Sequence, residues 1–210
     1  MAKIQSFEKF YQQYDSWFDQ HPYVYQSELV AVRRFIQDPR NAVEIGMGSG
    51  RFAQPLGIKD GIEPSYEMRK LAQQKGLNPR FGIAEQLPVA DQTYDLALMV
   101  TTICFVDNPL QAIREMYRII STLGSVVIGF VDKDSPIGQI YRKHKHESRF
   151  YQQAHFFAAR EIETMLLETG FCDIRYVQTL FGQLDEVDQV QQVLEGCGQG
   201  SFVVVKGVKR

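Results

Sequence analysis

The sequence predicts a doubly wound α/β fold with an N-terminal helical cap, and three observations support that prediction. Short apolar segments alternate with segments of helical pattern from residue 42 onward, as in parallel strands joined by crossover helices. Leu96–Val100 is a continuous apolar run, which is typical of a central parallel strand. The first apolar segment leads directly into a glycine turn, Gly46–Gly50. We therefore expect a sheet domain at residues 41–210 and a helical cap or lid at residues 1–40.

The cap is predicted to be helical over residues 6–37. Its aromatic residues recur at helical spacing and form one face, composed of Phe7, Phe10, Tyr11, Tyr14, Trp17 and Phe18. A second helix is expected from about Ser27 to Gln37, where Asp38 and Pro39 end it. The simplest interpretation of the aromatic face is that it packs the cap onto the sheet domain.

The sheet domain has seven predicted strands, at about 42–46, 58–62, 80–83, 96–100, 125–131, 173–179 and 202–208. Helices are expected between them, at about 50–56, 65–76, 108–120 and 160–169. Ser65 is an N-cap residue, Asn108 precedes a proline at the first helical position, and Gly170 is a C-terminal stop. Residues 132–157 are polar and basic without a strong period, and a polar stretch at about 182–200 joins the last two strands.

Composition excludes several classes of protein. The chain has 210 residues and a formal net charge of −2, so it has no global basic field that would attract nucleic acid. The longest apolar stretch, around Leu123–Val131, is too short to span a bilayer, and no signal-peptide core follows the N-terminus. The three cysteines, Cys104, Cys172 and Cys197, are dispersed and have no metal-site spacing. We expect a cytoplasmic protein that binds no nucleic acid, membrane or metal.

A nucleoside site is indicated by the glycine turn together with Glu63. An acid at the end of the second strand can accept hydrogen bonds from both hydroxyls of a ribose. The turn reads GxGxG, whereas a dinucleotide fingerprint reads GxGxxG, and Arg51 stands where the last glycine of that fingerprint belongs. Glu44 lies two residues before the first glycine.

The chain resembles the class I S-adenosylmethionine-dependent methyltransferases, in particular small bacterial and archaeal enzymes that act on small molecules. The resemblance extends from about residue 40 to 210 and is carried, in the family's order, by residues 44–50, 62–65, 84–88, 94–98, 115–120, 156–157 and 170–171. It implies a seven-stranded, mostly parallel sheet of order 3-2-1-4-5-7-6 with strand 7 antiparallel. The chain departs from the family's pattern at two places. The stretch from the glycine loop to Glu63 is short, which reduces the first helix towards a turn, and Ala158 stands where the family often has a capping serine.

The resemblance also implies S-adenosylmethionine as cofactor and a set of residues around it. These are Tyr14, Glu44, Gly46, Gly48, Glu63, Pro64, Met68, Ala84, Glu85, Thr101 and Thr102. Within this set the glycines line the methionine part of the cofactor, and Glu63 takes the ribose hydroxyls. Thr101 and Thr102 end strand four beside the sulfonium.

Four residues of that set are implied to surround the adenine, with Pro64 and Met68 packing near the ring and Ala84 and Glu85 at its edge. Tyr14 is expected to come from the cap and to close over the cofactor near its carboxylate. Aromatic faces attract a sulfonium or ammonium.

The expected reaction is methyl transfer by in-line displacement to a nitrogen, hydroxyl or carboxylate of a small molecule. A sulfonium methyl is already activated, so a general base is needed only if the acceptor arrives protonated. His144 and His146 are the candidates, in a basic run within 132–157, the segment expected to be a substrate-side insertion. We favour a solvated helix face for this run, and an acidic substrate is the alternative.

Two other functions remain open from the sequence. A protein of this type can bind S-adenosylmethionine or S-adenosylhomocysteine without catalysing transfer. A weaker alternative is an NAD-dependent oxidoreductase, against which Arg51 counts because it replaces the last fingerprint glycine.

Overall fold

The computed structural model describes residues 4–36 and 41–210. Its helices in these ranges are Gln5–Lys9 (α1), Tyr11–Gln20 (α2), Pro22–Arg33 (α3), Ala53–Leu56 (α4), Tyr66–Gln74 (α5), Pro109–Ile119 (α6), Pro136–His144 (α7) and Ala159–Thr169 (α8). Its strands are Ala42–Ile45 (β1), Asp60–Ile62 (β2), Asn78–Arg80 (β3), Tyr94–Val100 (β4), Ile120–Val131 (β5), Phe171–Thr179 (β6), Leu194–Glu195 (β7) and Phe202–Lys209 (β8). Short 3₁₀ turns occupy Ile103–Phe105, Tyr151–Gln153 and Leu184–Glu186.

The strands form one sheet of order β3-β2-β1-β4-β5-β8-β6-β7. Strands β1 to β5 pair in parallel, and β8 runs antiparallel to both β5 and β6. Seven strands therefore follow the expected order, and the expected antiparallel last strand is β8. The predicted count of seven was wrong, because β7 adds two residues at the edge, pairing Glu195 with Val177 and Leu194 with Gln178. A strand this short lies inside a polar stretch and has no apolar alternation to reveal it.

Both faces of the sheet are buried, which explains the apolar run in β4. Met99 lies in one core cluster with Met116 of α6, while its neighbour Leu98 lies in the other with Val32 of α3. Successive side chains of a strand point to opposite faces. The sheet is thus covered on both sides, as expected for a doubly wound fold.

Within residues 4–36 the N-terminal segment forms three helices, one more than the two that the sequence predicted. Helix α3 begins at Pro22, which occupies the first helical position, so the predicted start at Ser27 was too late. The predicted end at Gln37 lies outside the described residues. The aromatic face packs as expected at Phe18, which is buried and makes edge-to-face contacts with Tyr14 at 5.6 Å and Phe52 at 6.1 Å between ring centroids.

Several other predictions for single elements were wrong: β5 begins at Ile120 and not at about 125, and β3 and the 132–157 segment also differ. Strand β3 begins two residues before the predicted 80–83, because Asn78 N–H donates to Lys59 O at 2.8 Å and an edge strand tolerates Pro79. The 132–157 segment contains helix α7, whose last turn includes part of the basic run that we interpreted as a helix face, but we did not predict where this helix begins. Its start is marked in the sequence by Ser135, whose Oγ accepts from Gly138 N–H at 3.0 Å, and by a proline at the first helical position.

The predicted helix-end signals at Ser65, Asn108 and Gly170 are confirmed. Ser65 Oγ accepts from Met68 N–H at 3.3 Å, Asn108 Oδ1 accepts from Gln111 N–H at 3.0 Å, and Gly170 has a φ of 106°. The first helix of the domain, α4, is a single turn, as the short loop implied.

Helix α8 begins at a residue with no capping side chain. Two acidic side chains accept the hydrogen bonds that a capping residue would otherwise accept. Asp132, at the end of β5, accepts from Ala159 N–H through Oδ2 at 3.1 Å. Glu161 accepts from Ala158 N–H through Oε2 at 2.7 Å. The weak local cap expected at Ala158 is therefore compensated by two carboxylates near the positive end of the helix. In the described ranges, no helix is long and apolar enough to cross a membrane.

Candidate active site

A cavity of about 680 Å³, counting its open mouth, lies at the carboxyl ends of β1, β2 and β4. This position is where open α/β sheets bind ligands. The predicted cofactor residues that line it are Tyr14, Gly46, Gly48, Glu63, Pro64, Met68, Ala84, Glu85, Thr101 and Thr102. Ile4 and Phe7 of the cap complete the wall on the open side.

The glycine loop needs its glycines for two different reasons. Gly46 has a φ of 71°, and a Cβ at this position would lie 2.3 Å from Thr102 Cγ2. This closeness lets Thr102 Oγ1 donate to Gly46 O at 3.2 Å, which ties the ends of β1 and β4 together. Gly48 has a φ of 56°, and a Cβ there would meet nothing within 4 Å. The first glycine therefore serves packing, whereas the second leaves space in the cavity wall.

Glu63 follows β2 and links it to the glycine loop. Its Oε2 accepts from Gly48 N–H and its Oε1 accepts from Ser65 N–H, both at 2.8 Å. Burial raises the pKa of Glu63 to about 7, although these two N–H groups lower it in part. Each carboxylate oxygen retains capacity for a further hydrogen bond.

The adenine-side residues of the prediction come together in the same cavity. Met68 and Ala84 are buried, and Pro64 lies between Glu63 and the start of α5. Glu85 also lines the cavity, and its carboxylate is already engaged at the start of α6. Its Oε1 accepts from Asp107 N–H at 2.7 Å and from Asn108 N–H at 3.2 Å.

Glu44 is buried in β1 and does not line the cavity. Its side chain accepts a hydrogen bond from the backbone of Ala53 at the start of α4, and its Oε2 has no partner among the described residues. Burial raises the pKa of Glu44 well above its ordinary value. The structure thus places this acid behind the glycine loop, in contact with α4.

A second cavity adjoins the first, and Tyr14 and Thr101 line both. Thr101 ends β4 with a φ of 49°, a left-handed conformation that is costly for a β-branched residue. Burial raises the pKa of the Tyr14 phenol well above its ordinary value, and the Thr101 hydroxyl offsets part of that rise. These two side chains therefore form a common wall between the cavities.

The second cavity has a volume of about 1650 Å³, counting open solvent. Its lining is rich in aromatic residues from the cap and the 132–157 insertion, including Trp17, Phe18, Tyr141, Phe150 and Tyr151. His144 lies at its rim, and the Nδ1 of this half-exposed side chain is 3.1 Å from Glu147 Oε1. His146 is exposed and lines neither cavity.

The cap is tied to the glycine loop by Arg51, a contact that the sequence did not reveal. Arg51 donates to both carboxylate oxygens of Asp15 and to both of Asp19, at 2.7–2.8 Å. Ser49 Oγ also donates to Asp15, and Lys75 Nζ lies 3.3 Å from it. Burial alone would raise the pKa of Asp15, but the bonds from Arg51 and Ser49 outweigh it and hold that pKa at about 2.

Comparison with known proteins supports the family that the geometry suggests. A family model described as a methyltransferase domain matches residues 43–128. An uncharacterised protein of Methanocaldococcus jannaschii is 40% identical over 203 residues, which cover 97% of this chain and 98% of that protein. The crystal structure of an S-adenosylmethionine-dependent methyltransferase from Thermotoga maritima, described as a possible histamine N-methyltransferase, is 44% identical. It covers 99% of this chain and 100% of that one, with a TM-score of 0.96.

The chain belongs to the S-adenosylmethionine-dependent methyltransferases. As a methyltransferase it is an enzyme, and S-adenosylmethionine is its cofactor. The fold alone is shared with a methyltransferase from Archaeoglobus fulgidus, which is 14% identical and has a TM-score of 0.71 over 93% of this chain and 99% of that one.

Two features of the candidate site were missed from the sequence. The first is the clamp between Arg51 and the cap, which joins residues far apart in the chain. The second is Glu28, a buried acid of α3 that lines the second cavity. Its signal was an acid on the inward face of a helix, among Val24, Ala31 and Val32.

Proposed function

We propose that this methyltransferase transfers a methyl group, by in-line displacement, to a nitrogen, hydroxyl or carboxylate of a small molecule. The cofactor occupies the first cavity and the acceptor occupies the second. The observation that carries this proposal is the wall that the cavities share, since Tyr14 and Thr101 line both. A ligand on each side of that wall brings a donor and an acceptor within reach of one another.

The residues of the first cavity fit the cofactor in three ways. Glu63 accepts hydrogen bonds from the two ribose hydroxyls, using the capacity that Gly48 and Ser65 leave free. The loop at Gly46 and Gly48 has no side chains to obstruct the methionine part. Pro64, Met68 and Ala84 provide the apolar surface for the adenine, with Glu85 at the edge.

The bound cofactor supplies a methyl group already activated by the positive sulfur. The protein then has to orient the donor and the acceptor and to exclude water from the site. Tyr14 covers the cofactor from the cap, where it packs edge-to-face with Phe7 at 5.2 Å, and Thr101 and Thr102 line the end of β4. Glu44 acts from behind, by holding the first turn of α4 beneath the glycine loop.

The acceptor is proposed to be small because the second cavity is walled by this chain's own segments. The cap at residues 1–40 and the insertion at 132–157 contribute most of its described lining around the sheet domain at 41–210. His144 stands at the rim, bound to Glu147, and His146 lies outside both cavities, so we assign neither as general base. The Thermotoga protein carries a description as a possible histamine N-methyltransferase, which makes histamine the first acceptor to test.

The test is calorimetric binding of S-adenosylhomocysteine and NAD to the wild type, Glu63→Ala and Glu63→Gln. Losing a hydrogen bond to a charged group costs about 1.5–3 kcal/mol, so both variants should bind S-adenosylhomocysteine at least about tenfold more weakly. Glu168→Gln, which removes an exposed carboxylate from α8, is the matched control and should bind as the wild type does. Binding of NAD in preference to S-adenosylhomocysteine would contradict the proposal.

The same titration has an expected pH dependence. The ionised carboxylate is the form that accepts both ribose hydrogen bonds, and the pKa of Glu63 is about 7. Affinity for S-adenosylhomocysteine should therefore rise about tenfold from pH 6 to pH 8 in the wild type and stay flat in Glu63→Gln. Release of S-adenosylhomocysteine from S-adenosylmethionine that requires histamine or another small acceptor then separates an enzyme from a binding protein.

A further inference from the structure

Glu28 is a buried carboxyl group without a partner in a ligand-sized cavity. It lies on α3, is 5% exposed and lines the second cavity. Within residues 4–36 and 41–210, no hydrogen bond or ion pair reaches its carboxylate, and burial alone raises its pKa to about 8. Buried acids are normally paired or hydrogen-bonded, so an unpaired one that faces a cavity indicates a missing partner.

The groups that face Glu28 from neighbouring elements provide no positive charge at its depth. Tyr14 of α2, Tyr141 of α7 and Tyr151 all have phenol pKa values raised by burial, and the charge of Glu28 adds to each rise. The ionisable lining residues His144, Glu147 and Arg149 are exposed at the cavity rim. Among the described residues, Glu28 therefore faces the phenols of Tyr14, Tyr141 and Tyr151 and no positive charge at its own depth.

The aromatic rings that line this cavity pack against one another in two groups, face to face in one and edge to face in the other. Tyr141 and Tyr151 stack with centroids 4.9 Å apart and an interplanar angle of 25°. Tyr14 and Trp17 each meet Phe18 edge-to-face, at 5.6 and 5.4 Å. Aromatic faces attract cations, most strongly where water is excluded.

We propose that the second cavity binds the cationic nitrogen of a small amine and that Glu28 is the counter-ion which recognises it. This inference rests on the proposed function, because it names the acceptor class for the same site. The ammonium group donates hydrogen bonds to the Glu28 carboxylate and anchors the molecule, while the aromatic lining contacts the rest of it. A protonated nitrogen has no lone pair, so the methyl group is transferred to another nucleophilic atom of the same molecule. A neutral alcohol cannot compensate the buried charge, and a carboxylate would place a second negative charge beside it.

The experiment measures binding to the full chain saturated with S-adenosylhomocysteine at pH 7.5. The probes are three matched pairs of amine and alcohol: butylamine and butanol, benzylamine and benzyl alcohol, and phenethylamine and 2-phenylethanol. We expect the best-fitting amine to bind the wild type about tenfold or more tightly than its alcohol, and this preference to fall to about onefold in Glu28→Gln. Glu168→Gln, with the same change of charge on the exposed surface of α8, should keep the preference.

Proton release gives a second readout that a merely structural role would not produce. With the pKa of Glu28 at about 8, much of the free enzyme carries a proton on this residue at neutral pH, and an arriving ammonium displaces it. Repeating the calorimetry in buffers of different ionisation enthalpy should reveal this proton in the wild type and not in Glu28→Gln.

The outcomes separate this inference from the proposed function. If the wild type binds S-adenosylhomocysteine but prefers no amine over its alcohol, or if Glu28→Gln keeps the preference, Glu28 is not the counter-ion and the proposed function stands. If the wild type does not bind S-adenosylhomocysteine, the proposed function fails and this inference fails with it. Unchanged thermal unfolding of Glu28→Gln at pH 7.5, or a higher midpoint, excludes misfolding as the cause of lost binding.

Discussion

Arg51, at the end of the glycine loop, binds Asp15 of α2 with two parallel hydrogen bonds. They run from Nε to Oδ1 at 2.8 Å and from Nη2 to Oδ2 at 2.7 Å, and both side chains are only about one-fifth exposed. Bidentate pairs of this kind are among the stronger charge-assisted contacts in proteins. The residue that replaces a dinucleotide-binding glycine thus connects the cap to the cofactor loop.

Replacing Arg51 with alanine should loosen the cap. We expect a loss of about 1–3 kcal/mol in the free energy of unfolding, because the partly buried Asp15 carboxylate loses both guanidinium hydrogen bonds and keeps only Ser49 and Lys75. Urea denaturation measures this change, and hydrogen exchange should show weaker protection of the α2 amides. Arg210→Ala is the matched control, since the pair between Arg210 and Asp173 is about half exposed or more on both sides. Its removal should leave stability almost unchanged, because exposed ion pairs contribute little, and equal losses in the two variants would contradict the prediction.

The buried Glu28 should make stability fall as the pH rises. Its folded-state pKa of about 8 lies above the ordinary 4.5, so the carboxyl favours folding below pH 4.5 and this contribution is lost as the pH passes 8. Glu28→Gln should therefore be more stable than the wild type at pH 8.5, by roughly 2–4 kcal/mol, and nearly equal to it at pH 4.5. Urea denaturation at the two pH values checks this, and a pH-independent difference would rule out the titration of Glu28 as its cause.

Alanine at the two glycines of the cofactor loop should have different effects. At Gly46 the new methyl group meets Thr102 at 2.3 Å, so we expect a loss of about 2–4 kcal/mol in stability. At Gly48 it meets nothing, so only the positive φ is costly, at about 1 kcal/mol, while binding of S-adenosylhomocysteine weakens because the methyl group enters the cavity.

Gly76→Ala is the control for Gly48→Ala, because it has a φ of 79°, equally open surroundings and a position outside the cavity. It should show the same loss of stability with unchanged binding. Equal binding by Gly48→Ala and Gly76→Ala would show that residue 48 does not limit the space for the cofactor.

Thr101→Gly should separate stability from binding. Glycine adopts the φ of 49° without strain, which stabilises the folded state, but it also makes the unfolded chain more flexible. Because these two effects oppose one another, stability should stay within about 1 kcal/mol of the wild type. Affinity for S-adenosylhomocysteine should fall, since the wall beside Tyr14 is lost, whereas Thr101→Ser retains the hydroxyl and most of the affinity. The prediction is wrong if both variants bind as the wild type does.

The sequence predicted those parts of the fold and site that depend on local patterns. The apolar run of β4, the glycine loop and the acid after β2 each have a signature within a few residues, and their order along the chain places them at one edge of a parallel sheet. The expectation that Glu63, Met68, Ala84 and Thr101 lie around one ligand came from the resemblance to the methyltransferases, and the structure brings them together in one cavity.

The remaining features depend on contacts between distant segments. Glu44 belongs to the same motif as the glycines, yet its side chain contacts the start of α4 and does not line the cavity. The partner of Arg51 lies 36 positions earlier in the sequence, and no local pattern connects the two. Glu28 is indistinguishable from a surface acid until the inward face of α3 is known.

The wall formed by Tyr14 and Thr101 also bears on which group can be transferred. If donor and acceptor meet across these two side chains, the opening between them acts as a size filter for the moving alkyl group. A smaller residue at position 14 would widen that opening and admit cofactor analogues with an ethyl or allyl group. The methyl group of the natural cofactor would then be held less precisely. The width of the Tyr14 ring would then determine which alkyl groups this protein can transfer.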